Sequence, residues 1–204
     1  MLYLIGKMLA RIVARVFGRW EVAGTENIPL TGGVLLCANH VSYIDPPVLG
    51  AGVPRPVHFM AKSELFEIPV LGFLIKRVGA FPVKRGTADR SALKRAIDLL
   101  ERGKVVAMFP EGTRSLDGEL RQAEPGLGMI ALRARATVIP TALINTEKLL
   151  PPHSYLLKFT RLKVVFGKPV DLNDLYGQSG REAIDEVGRR VMSAIAELKR
   201  HNTT

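Results

Sequence analysis

The residues with the most evident chemistry are a histidine and an aspartate in one short stretch, Asn39-His40-Val41-Ser42-Tyr43-Ile44-Asp45-Pro46. The apolar run 33–38 precedes this stretch, and the pattern predicts a buried strand that ends in a loop and then a helix. In an open α/β sheet, ligands bind at the carboxyl ends of strands, where His40 would lie. An imidazole can abstract a proton near neutral pH, and a nearby carboxylate can fix its tautomer.

The spacing of His40 and Asp45 limits how the two side chains can meet. Five residues advance a helix by roughly 140° past a full turn, so the pair does not share one helical face. The two side chains can therefore meet only across a tight turn, with Asp45 near the N-cap of the next helix. A second interpretation stays open at this point, in which Asp45 only caps that helix and His40 is an ordinary polar residue.

Two further loops with charged residues follow predicted strands. A short strand over 79–86 ends in Lys84 and Arg85, and the apolar run 105–109 stops at Pro110-Glu111-Gly112-Thr113-Arg114-Ser115. We expect these loops to gather with the His40 loop at one edge of the sheet. Such a site suits a phosphate, because arginine binds phosphate in bidentate fashion and a Gly-Thr loop can present backbone N–H groups. Lys62 is a further candidate cation.

The residue types also indicate which reactions to expect. The site has a base but no serine or cysteine in a nucleophile setting, since Ser42 lacks the Gly-x-Ser-x-Gly pattern. The base would therefore activate a hydroxyl that the substrate brings. The four histidines, at 40, 58, 153 and 201, form no His/Cys pair at metal-ligand spacing, so we expect no metal site. Dinucleotide-binding and P-loop patterns are also absent from the sequence.

Strands and helices alternate along the chain, which predicts an α/β fold with a mixed, mostly parallel sheet flanked by helices. We expect two parts, an N-terminal amphipathic helix over 1–19 and a single domain over 20–204. The segment 65–75 is rich in large apolar residues. This composition favours a place for the segment in the core. The alternative is that the segment lines a slot for an apolar substrate.

The N-terminal segment carries a cation at every fourth residue, namely Lys7, Arg11, Arg15 and Arg19. These charges make a membrane-spanning helix improbable. A basic stripe beside a wide apolar face, with Trp20 at the end, is typical of a helix that lies in the plane of an anionic membrane surface. The alternative is a first helix packed on the domain core with its basic side in water.

The composition points to an anionic partner. The chain has 29 Lys+Arg against 19 Asp+Glu, a formal net charge of +10. Membrane lipid, a phosphorylated substrate and nucleic acid would each account for this charge. A basic nucleic-acid-binding domain predicts aromatic residues interleaved with the cations, whereas aromatic residues are only 6% here and lie mostly in apolar runs. We therefore expect no nucleic-acid partner. The single cysteine, Cys37, lies in a predicted buried strand and indicates a reducing compartment.

Four blocks follow one another along the chain. They are Asn39-His40-x4-Asp45, Gly79-x5-Arg85, Phe109 to Ser115 and Val138-Ile139-Pro140-Thr141. In this order and at these separations they resemble the glycerolipid acyltransferases, and within them the short bacterial 1-acyl-sn-glycerol-3-phosphate acyltransferases. The resemblance extends over roughly residues 18 to 170, and the first and third blocks together are highly specific. Where a basic residue is common before the glycine of the next helix, this chain has Glu124-Pro125-Gly126.

The resemblance implies acyl transfer from acyl-CoA or acyl-carrier protein to the sn-2 hydroxyl of lysophosphatidic acid, which gives phosphatidic acid. His40 would be the base, and Asp45 would orient it and stabilise its charge. The glycerol phosphate would be held by Lys62, Arg85, Glu111, Gly112, Thr113 and Arg114. No metal or cofactor is implied, and the expected place is the cytoplasmic face of the cell membrane, as a peripheral or monotopic protein. Another acceptor, such as glycerol-3-phosphate, another lysophospholipid or a lyso-aminolipid, stays open, and so does a non-catalytic membrane scaffold.

Overall fold

The computed structural model describes residues 2–84, 89–152, 154, 156–178 and 180–203. Its helices and strands alternate along most of this length. The strands are β1 (Glu21–Ala23), β2 (Val34–Ala38), β3 (Val57–Lys62), β4 (Phe81–Val83), β5 (Val105–Met108), β6 (Thr137–Ile144) and β7 (Lys163–Phe166). The helices are α1 (Leu2–Gly18), α2 (Asp45–Gly52), α3 (Pro69–Arg77), α4 (Arg90–Glu101), α5 (Pro125–Ala134), α6 (Thr146–Leu149) and α7 (Arg181–Asn202).

The described strands form one seven-stranded sheet in the order β1-β7-β6-β2-β5-β3-β4. The five strands from β6 to β4 are parallel, β7 is antiparallel to β6, and β1 is parallel to β7. Strand β2 is central, and Val34 pairs with both Val105 of β5 and Thr137 of β6. The predicted mixed, mostly parallel α/β fold is confirmed. The carboxyl ends of β2, β5, β3 and β4 lie at the same edge, where the predicted site loops begin.

Helices cover both faces of the sheet. On one face, α1 and α2 pack over a core that includes Leu36, Val48 and Phe166, and Ala14 of α1 is fully buried there. On the other face, α4, α5 and α7 pack over Leu35, Val106 and their neighbours. Because parallel crossovers are right-handed, the β3-to-β4 connection places α3 on the same face as α1 and α2. All five residues of β2 are buried, as expected for a central parallel strand.

The core prediction for the 65–75 segment is wrong. Its large apolar side chains are exposed on α3 and on the turn before it: Ile68, Val70, Leu71, Phe73 and Leu74. Helix α3 connects β3 and β4, the last two strands at one side of the sheet, and packs chiefly against the 3-10 turn Ser63–Phe66 rather than on the sheet. Among the residues that the structure describes, no other helix covers the outer side of α3.

Helix α1 packs on the domain with Lys7 and Arg11 on its inward side, whereas the packed-helix alternative expected the basic side in water. The Nζ of Lys7 donates to the Val53 carbonyl, and Nε of Arg11 donates to the Ala51 carbonyl at 3.0 Å. These carbonyls end α2, so the two cations cap the negative end of that helix. The outward side of α1 is apolar, with Leu4, Met8 and Val16 each more than half exposed. Among the described helices, none is long and apolar enough to cross a bilayer.

Candidate active site

His40 and Asp45 meet at the carboxyl edge, across a turn, which is the one geometry that their spacing allows. The Nδ1 atom of His40 lies 2.7 Å from Oδ2 of Asp45. Asp45 is the first residue of α2 and is completely buried, whereas His40 keeps 7% of its surface exposed. The contact crosses the turn 41–44 rather than running along a helix.

The Asp45 carboxylate also shapes the loop that carries it. Its Oδ2 accepts hydrogen bonds from the backbone N–H groups of Val41 and Ser42, at 2.7 and 2.8 Å. With three donors on this oxygen, the His40 proton belongs on Nδ1, since a carboxylate can only accept. The second ring nitrogen, Nε2, is then the basic atom, and the structure gives it no partner among the described residues.

Two contacts from the segment that follows β5 hold the ring and the backbone of His40 in place. The ring stacks on Phe109, with centroids 4.0 Å apart and an interplanar angle of 17°. The Ser115 N–H donates to the His40 carbonyl at 2.8 Å, so the loop after β5 is hydrogen-bonded to the loop after β2. These contacts hold His40 in one orientation. The sequence did not identify Phe109 as a site residue, although it directly precedes the Pro110-Glu111 block.

Asn39 joins the same loop to β6. Its side-chain Nδ2 donates to the Leu143 carbonyl at 2.9 Å, and its Oδ1 accepts from the Leu143 N–H at 2.8 Å. The amide thus imitates a strand residue and continues the β2–β6 pairing just beyond Ala38. This positioning role was not predicted, because nothing local in the sequence identifies the partner 104 residues away.

Glu111 contacts backbone amides on two sides. Its Oε1 accepts from the His40 N–H at 3.1 Å, and its Oε2 accepts from the Arg121 N–H at 3.2 Å. Burial raises the pKa of this carboxyl, and the two N–H bonds oppose that rise. The carboxylate therefore holds the His40 loop and the segment before α5 together.

The remaining predicted residues of the 111–114 block lie beside the pair. Gly112 has a φ of 68°, a conformation that favours glycine. The Thr113 and Arg114 N–H groups make no hydrogen bond to described residues and are available to a ligand. The Arg114 guanidinium lies 3.5 Å from the centroid of Tyr43, which is exposed on the His40 loop.

The other predicted cations lie at the far side of β5. Lys62 is the last residue of β3, and its Nζ lies 2.8 Å from Oε1 of Glu64. Lys84 follows β4 and is exposed, and its N–H donates to Asp89 at 2.9 Å. Arg85 lies outside the described residues. Within the described ranges, no three His, Cys, Asp or Glu side chains group as metal ligands would.

A comparison with protein families gives one match. The acyltransferase family model matches residues 19–144, which include β1 to β6 and all the predicted site residues.

The chain belongs to the acyltransferase family.

Two relatives of this acyltransferase carry names that state an activity. The 1-acyl-sn-glycerol-3-phosphate acyltransferase of Bacillus subtilis is 30% identical over 191 residues, which are 93% of this chain and 92% of that protein. The lyso-ornithine lipid O-acyltransferase of Pseudomonas aeruginosa is 36% identical over 111 residues, 54% of this chain and 42% of that protein.

A solved structure is similar to this acyltransferase over nearly its whole length. The crystal structure of the 1-acyl-sn-glycerophosphate (LPA) acyltransferase PlsC from Thermotoga maritima superimposes with a TM-score of 0.76 at 30% identity. It covers 97% of this chain and 78% of that one.

Proposed function

We propose that this acyltransferase transfers an acyl group from a thioester donor to the sn-2 hydroxyl of 1-acyl-sn-glycerol-3-phosphate and so forms phosphatidic acid. The observation that carries the proposal is the 2.7 Å contact of His40 with the buried Asp45, at an edge that also bears Arg114. The acyltransferase of Bacillus subtilis, which matches this chain at nearly full length, is named for the same reaction. Acyl-CoA and acyl-carrier protein are the two donors that the chemistry allows.

The proposed reaction needs one base and no nucleophile from the protein. Nε2 of His40 removes the proton of the sn-2 hydroxyl, and the hydroxyl oxygen attacks the thioester carbonyl carbon. The C–S bond then breaks, and the thiolate leaves with the proton that His40 returns. Asp45 keeps the proton on Nδ1 and stabilises the imidazolium while it exists. The thiolate needs little acid assistance, since a thiol is a good leaving group.

Charge that develops on the carbonyl oxygen needs N–H donors. The amides of Val41 and Ser42 already donate to Asp45, so they are not available. We assign this task to the loop of Gly112, Thr113 and Arg114, where two N–H groups have no described acceptor. Preorganised donors of this kind lower the energy of the tetrahedral intermediate.

The acceptor phosphate would bind to the cations on the β5–β3–β4 side of His40. Arg114 is the nearest of these, because its neighbour Ser115 is hydrogen-bonded to His40. Stacking on Tyr43 leaves the guanidinium edge for bidentate contact with phosphate. Lys62 and Arg85 would complete the set. Glu111 can only accept hydrogen bonds and already accepts two, so its part in acceptor binding is to position the loops.

The outward apolar side of α1 supports membrane docking in the plane of the surface. The first turns of α1 also adjoin the end of α3, where a Cβ atom on Gly6 would lie 3.7 Å from Cγ1 of Val78. The exposed apolar residues of α3 lie on the same face of the sheet. We propose that both helices contact the bilayer, and that α3 borders the path of an acyl chain to the site. The cytoplasmic face of the cell membrane is the proposed place, because both donors are cytosolic thioesters.

A second acceptor class has one observation in its favour. The Pseudomonas aeruginosa relative, 36% identical to just over half of this chain, is named for a lyso-ornithine lipid. That acceptor brings a hydroxyl but an amino-acid headgroup in place of phosphate. The base and the oxyanion donors would serve both acceptors equally. Only the cations at 62, 85 and 114 favour the phosphate.

The test is an acceptor screen with one labelled acyl-CoA and detergent-dispersed lipids. We expect product with lysophosphatidic acid at a kcat/KM at least about tenfold above that with a lyso-ornithine lipid, since that acceptor has no phosphate and one charge-assisted hydrogen bond is worth about 1.5–3 kcal/mol. Glycerol-3-phosphate, which has phosphate but no acyl chain, and lysophosphatidylcholine, whose phosphate is a choline diester, complete the screen. Arg114→Gln should lower this preference, whereas Arg133→Gln on α5 serves as a control. Equal turnover of lyso-ornithine lipid and lysophosphatidic acid would contradict the assignment of the acceptor.

A further inference from the structure

A polar cleft of about 380 Å³ opens at the carboxyl edge on the other side of His40. It lies where α1 ends, β6 ends, β7 begins and α7 ends. We call it the α1-exit cleft and define it by the polar residues that line it, Arg19, Glu21, Asn145, Arg161, Lys163 and Asn202. None of these belongs to the site predicted from the sequence.

The charge of the α1-exit cleft is unbalanced. Three cations face one carboxylate, Glu21, whose Oε2 lies 3.6 Å from Nζ of Lys163. Arg19 and Arg161 are in no ion pair with the residues that the structure describes. Like charges that converge on one cavity raise the free energy of the empty protein, and an anion in the cavity relieves this repulsion.

The backbone that carries these groups is held in uncommon conformations. Arg19 has a φ of 40° and Asn145 a φ of 64°, in the left-handed region that non-glycine residues seldom adopt. The side-chain Nδ2 of Asn145 donates to the Arg161 carbonyl at 2.7 Å, which fixes the Arg161 backbone beside it. Strained turns that are fixed by a side chain are common where a protein aims groups at a ligand.

Two carbonyls near the carboxyl end of α7 accept hydrogen bonds from side chains. Asn202 donates through Nδ2 to the Leu198 carbonyl at 2.9 Å, and Thr203 donates through Oγ1 to the Lys199 carbonyl at 2.7 Å. The first of these bonds fixes the side chain of Asn202, which lines the α1-exit cleft.

The α1-exit cleft adjoins the catalytic loop through β6. Ile144 and Asn145 follow Leu143, whose N–H and C=O both bond to the side chain of Asn39, the residue before His40. In the sheet order, β6 is on one side of β2, whereas β5, β3 and β4, which bear the other cations, are on the opposite side. His40 thus lies between two groups of cations.

We propose that the α1-exit cleft is a second phosphate-binding site, which takes a phosphate ester other than the headgroup of the acceptor. The reaction in "Proposed function", on which this part rests, has two phosphate-bearing substrates, since both CoA and the arm of a carrier protein contain phosphate esters. The donor phosphate would bind in the cleft and the acceptor phosphate on the β5–β3–β4 side. The sn-2 hydroxyl oxygen and the thioester carbonyl carbon would then meet at His40. Anionic membrane lipids carry the same chemical group and are the other source.

The test compares Arg161→Gln and Arg19→Gln with the wild-type protein and with Arg102→Gln, an exposed arginine at the end of α4. With saturating lysophosphatidic acid in neutral detergent, each cleft variant should raise the KM for palmitoyl-CoA about tenfold, the loss expected for one charge-assisted bond. The kcat and the acceptor KM should change less than about twofold. Palmitoyl N-acetylcysteamine, a thioester without phosphate, should react equally with all four proteins. Arg161→Lys should recover part of the loss, which a merely unfolded variant could not do.

Flotation with vesicles separates the two sources. The cleft is assigned to a lipid phosphate if two results are found together. The cleft variants keep the wild-type KM for palmitoyl-CoA, and they no longer bind phosphatidylglycerol vesicles while their behaviour with phosphatidylcholine vesicles is unchanged. If the cleft variants match Arg102→Gln in both measurements, the proposal is overturned.

Equilibrium dialysis with labelled CoA keeps this proposal distinct from the proposed function. If the wild-type protein acylates no lysophospholipid but binds CoA about tenfold more tightly than Arg161→Gln does, the cleft is supported and the assigned reaction fails. If acylation proceeds while Arg161→Gln binds CoA and anionic vesicles as the wild type does, the reaction stands and the cleft fails.

Discussion

The imidazole of His40 and the carboxylate of Asp45 are joined at 2.7 Å across the four-residue turn 41–44, and the amides of Val41 and Ser42 in this turn donate to the same carboxylate oxygen. Oδ2 of Asp45 therefore stabilises the conformation of the loop and also determines the tautomer of His40. Asp45 is fully buried and His40 nearly so, and the ring is stacked on Phe109. The pair is preorganised before any substrate arrives.

Replacing His40 should stop the reaction and leave the fold intact. We expect His40→Ala to lower kcat by at least about 10²-fold, because no other described side chain can accept the hydroxyl proton at that position. Thiol release from acyl-CoA with detergent-dispersed lysophosphatidic acid measures this. His201→Ala, at the exposed end of α7, is the matched control. Activity of His40→Ala within about tenfold of wild type would remove His40 from the mechanism.

Replacing Asp45 with asparagine should separate its two tasks. The amide oxygen can still accept the loop N–H groups, but a neutral side chain cannot stabilise the imidazolium, and its NH₂ can favour the wrong tautomer of His40. We expect kcat to fall roughly 10²- to 10⁴-fold. Thermal unfolding followed by circular dichroism should show that the variant is folded. A variant that is folded and fully active would show that the carboxylate acts on the loop alone.

Glu111 should prove to be a positioning residue. In Glu111→Gln one of the two acceptor oxygens becomes an NH₂ group that faces a backbone N–H, either that of His40 or that of Arg121. We expect a loss of about 1–3 kcal/mol in the free energy of unfolding. A lower kcat with an unchanged KM for lysophosphatidic acid should accompany it. Glu119→Gln, exposed in the same loop, controls for the charge change. A raised acceptor KM with unchanged kcat would instead place Glu111 in contact with the acceptor.

The outward side of α1 should determine vesicle binding. We expect the double variant Met8→Gln/Ile12→Gln to bind anionic vesicles at least about tenfold more weakly, because each buried apolar side chain of this size is worth about 1.5–3 kcal/mol. The matched double variant is Leu30→Gln/Met129→Gln, at exposed positions in the loop before β2 and on α5. Equal flotation of the two double variants would refute docking through α1.

Asp89 should stabilise the start of α4 in a pH-dependent way. Its carboxylate accepts hydrogen bonds from the Ser91 hydroxyl and from the backbone N–H groups of Lys84, Ala92 and Ser91. These bonds, the one from the Ser91 hydroxyl above all, lower the pKa of Asp89 to about 2. A carboxyl whose pKa is lower in the folded protein than in the unfolded chain stabilises the fold. This stabilisation is complete above the pKa of the unfolded chain and is lost as the pH falls toward the pKa of the folded protein. Asp89→Ala should therefore cost about 1 kcal/mol at pH 7, and less at a pH near 2.

Urea titrations at the two pH values measure this difference, and Glu101→Ala at the exposed end of α4 is the control. A cost that is the same at both pH values would show that the Asp89 carboxylate does not act as a charged cap.

The sequence predicted the central sheet well, because central parallel strands are long apolar runs with clear stops. The predicted strand over Thr137 to Ile144 has the bounds of β6, and the run 33–38 differs from β2 by one residue. The spacing of His40 and Asp45 also predicted that a contact between them would cross a turn, as it does. In these places, local composition and the geometry of a parallel sheet agree with the tertiary structure.

The parts that sequence could not predict depend on distant partners. The periodicity of α1 identified an apolar and a basic side, but the inward side was decided by the carbonyl groups at the end of α2, which bind Lys7 and Arg11. The exposed α3 was expected in the core, since a run of large apolar residues does not reveal whether another element covers it. The Asn39–Leu143 link and the α1-exit cleft likewise join segments more than 100 residues apart.

The inward position of Lys7 and Arg11 has a consequence for the membrane docking that we propose. Two of the four cations at the amino terminus are engaged on the protein itself, so docking through α1 would depend more on buried hydrocarbon than a count of basic residues implies. Raising the ionic strength should therefore detach the protein only in part, while a mild surfactant should release it fully. Recovery from cell membranes would follow the same rule, with salt washes leaving most of the enzyme in the pellet.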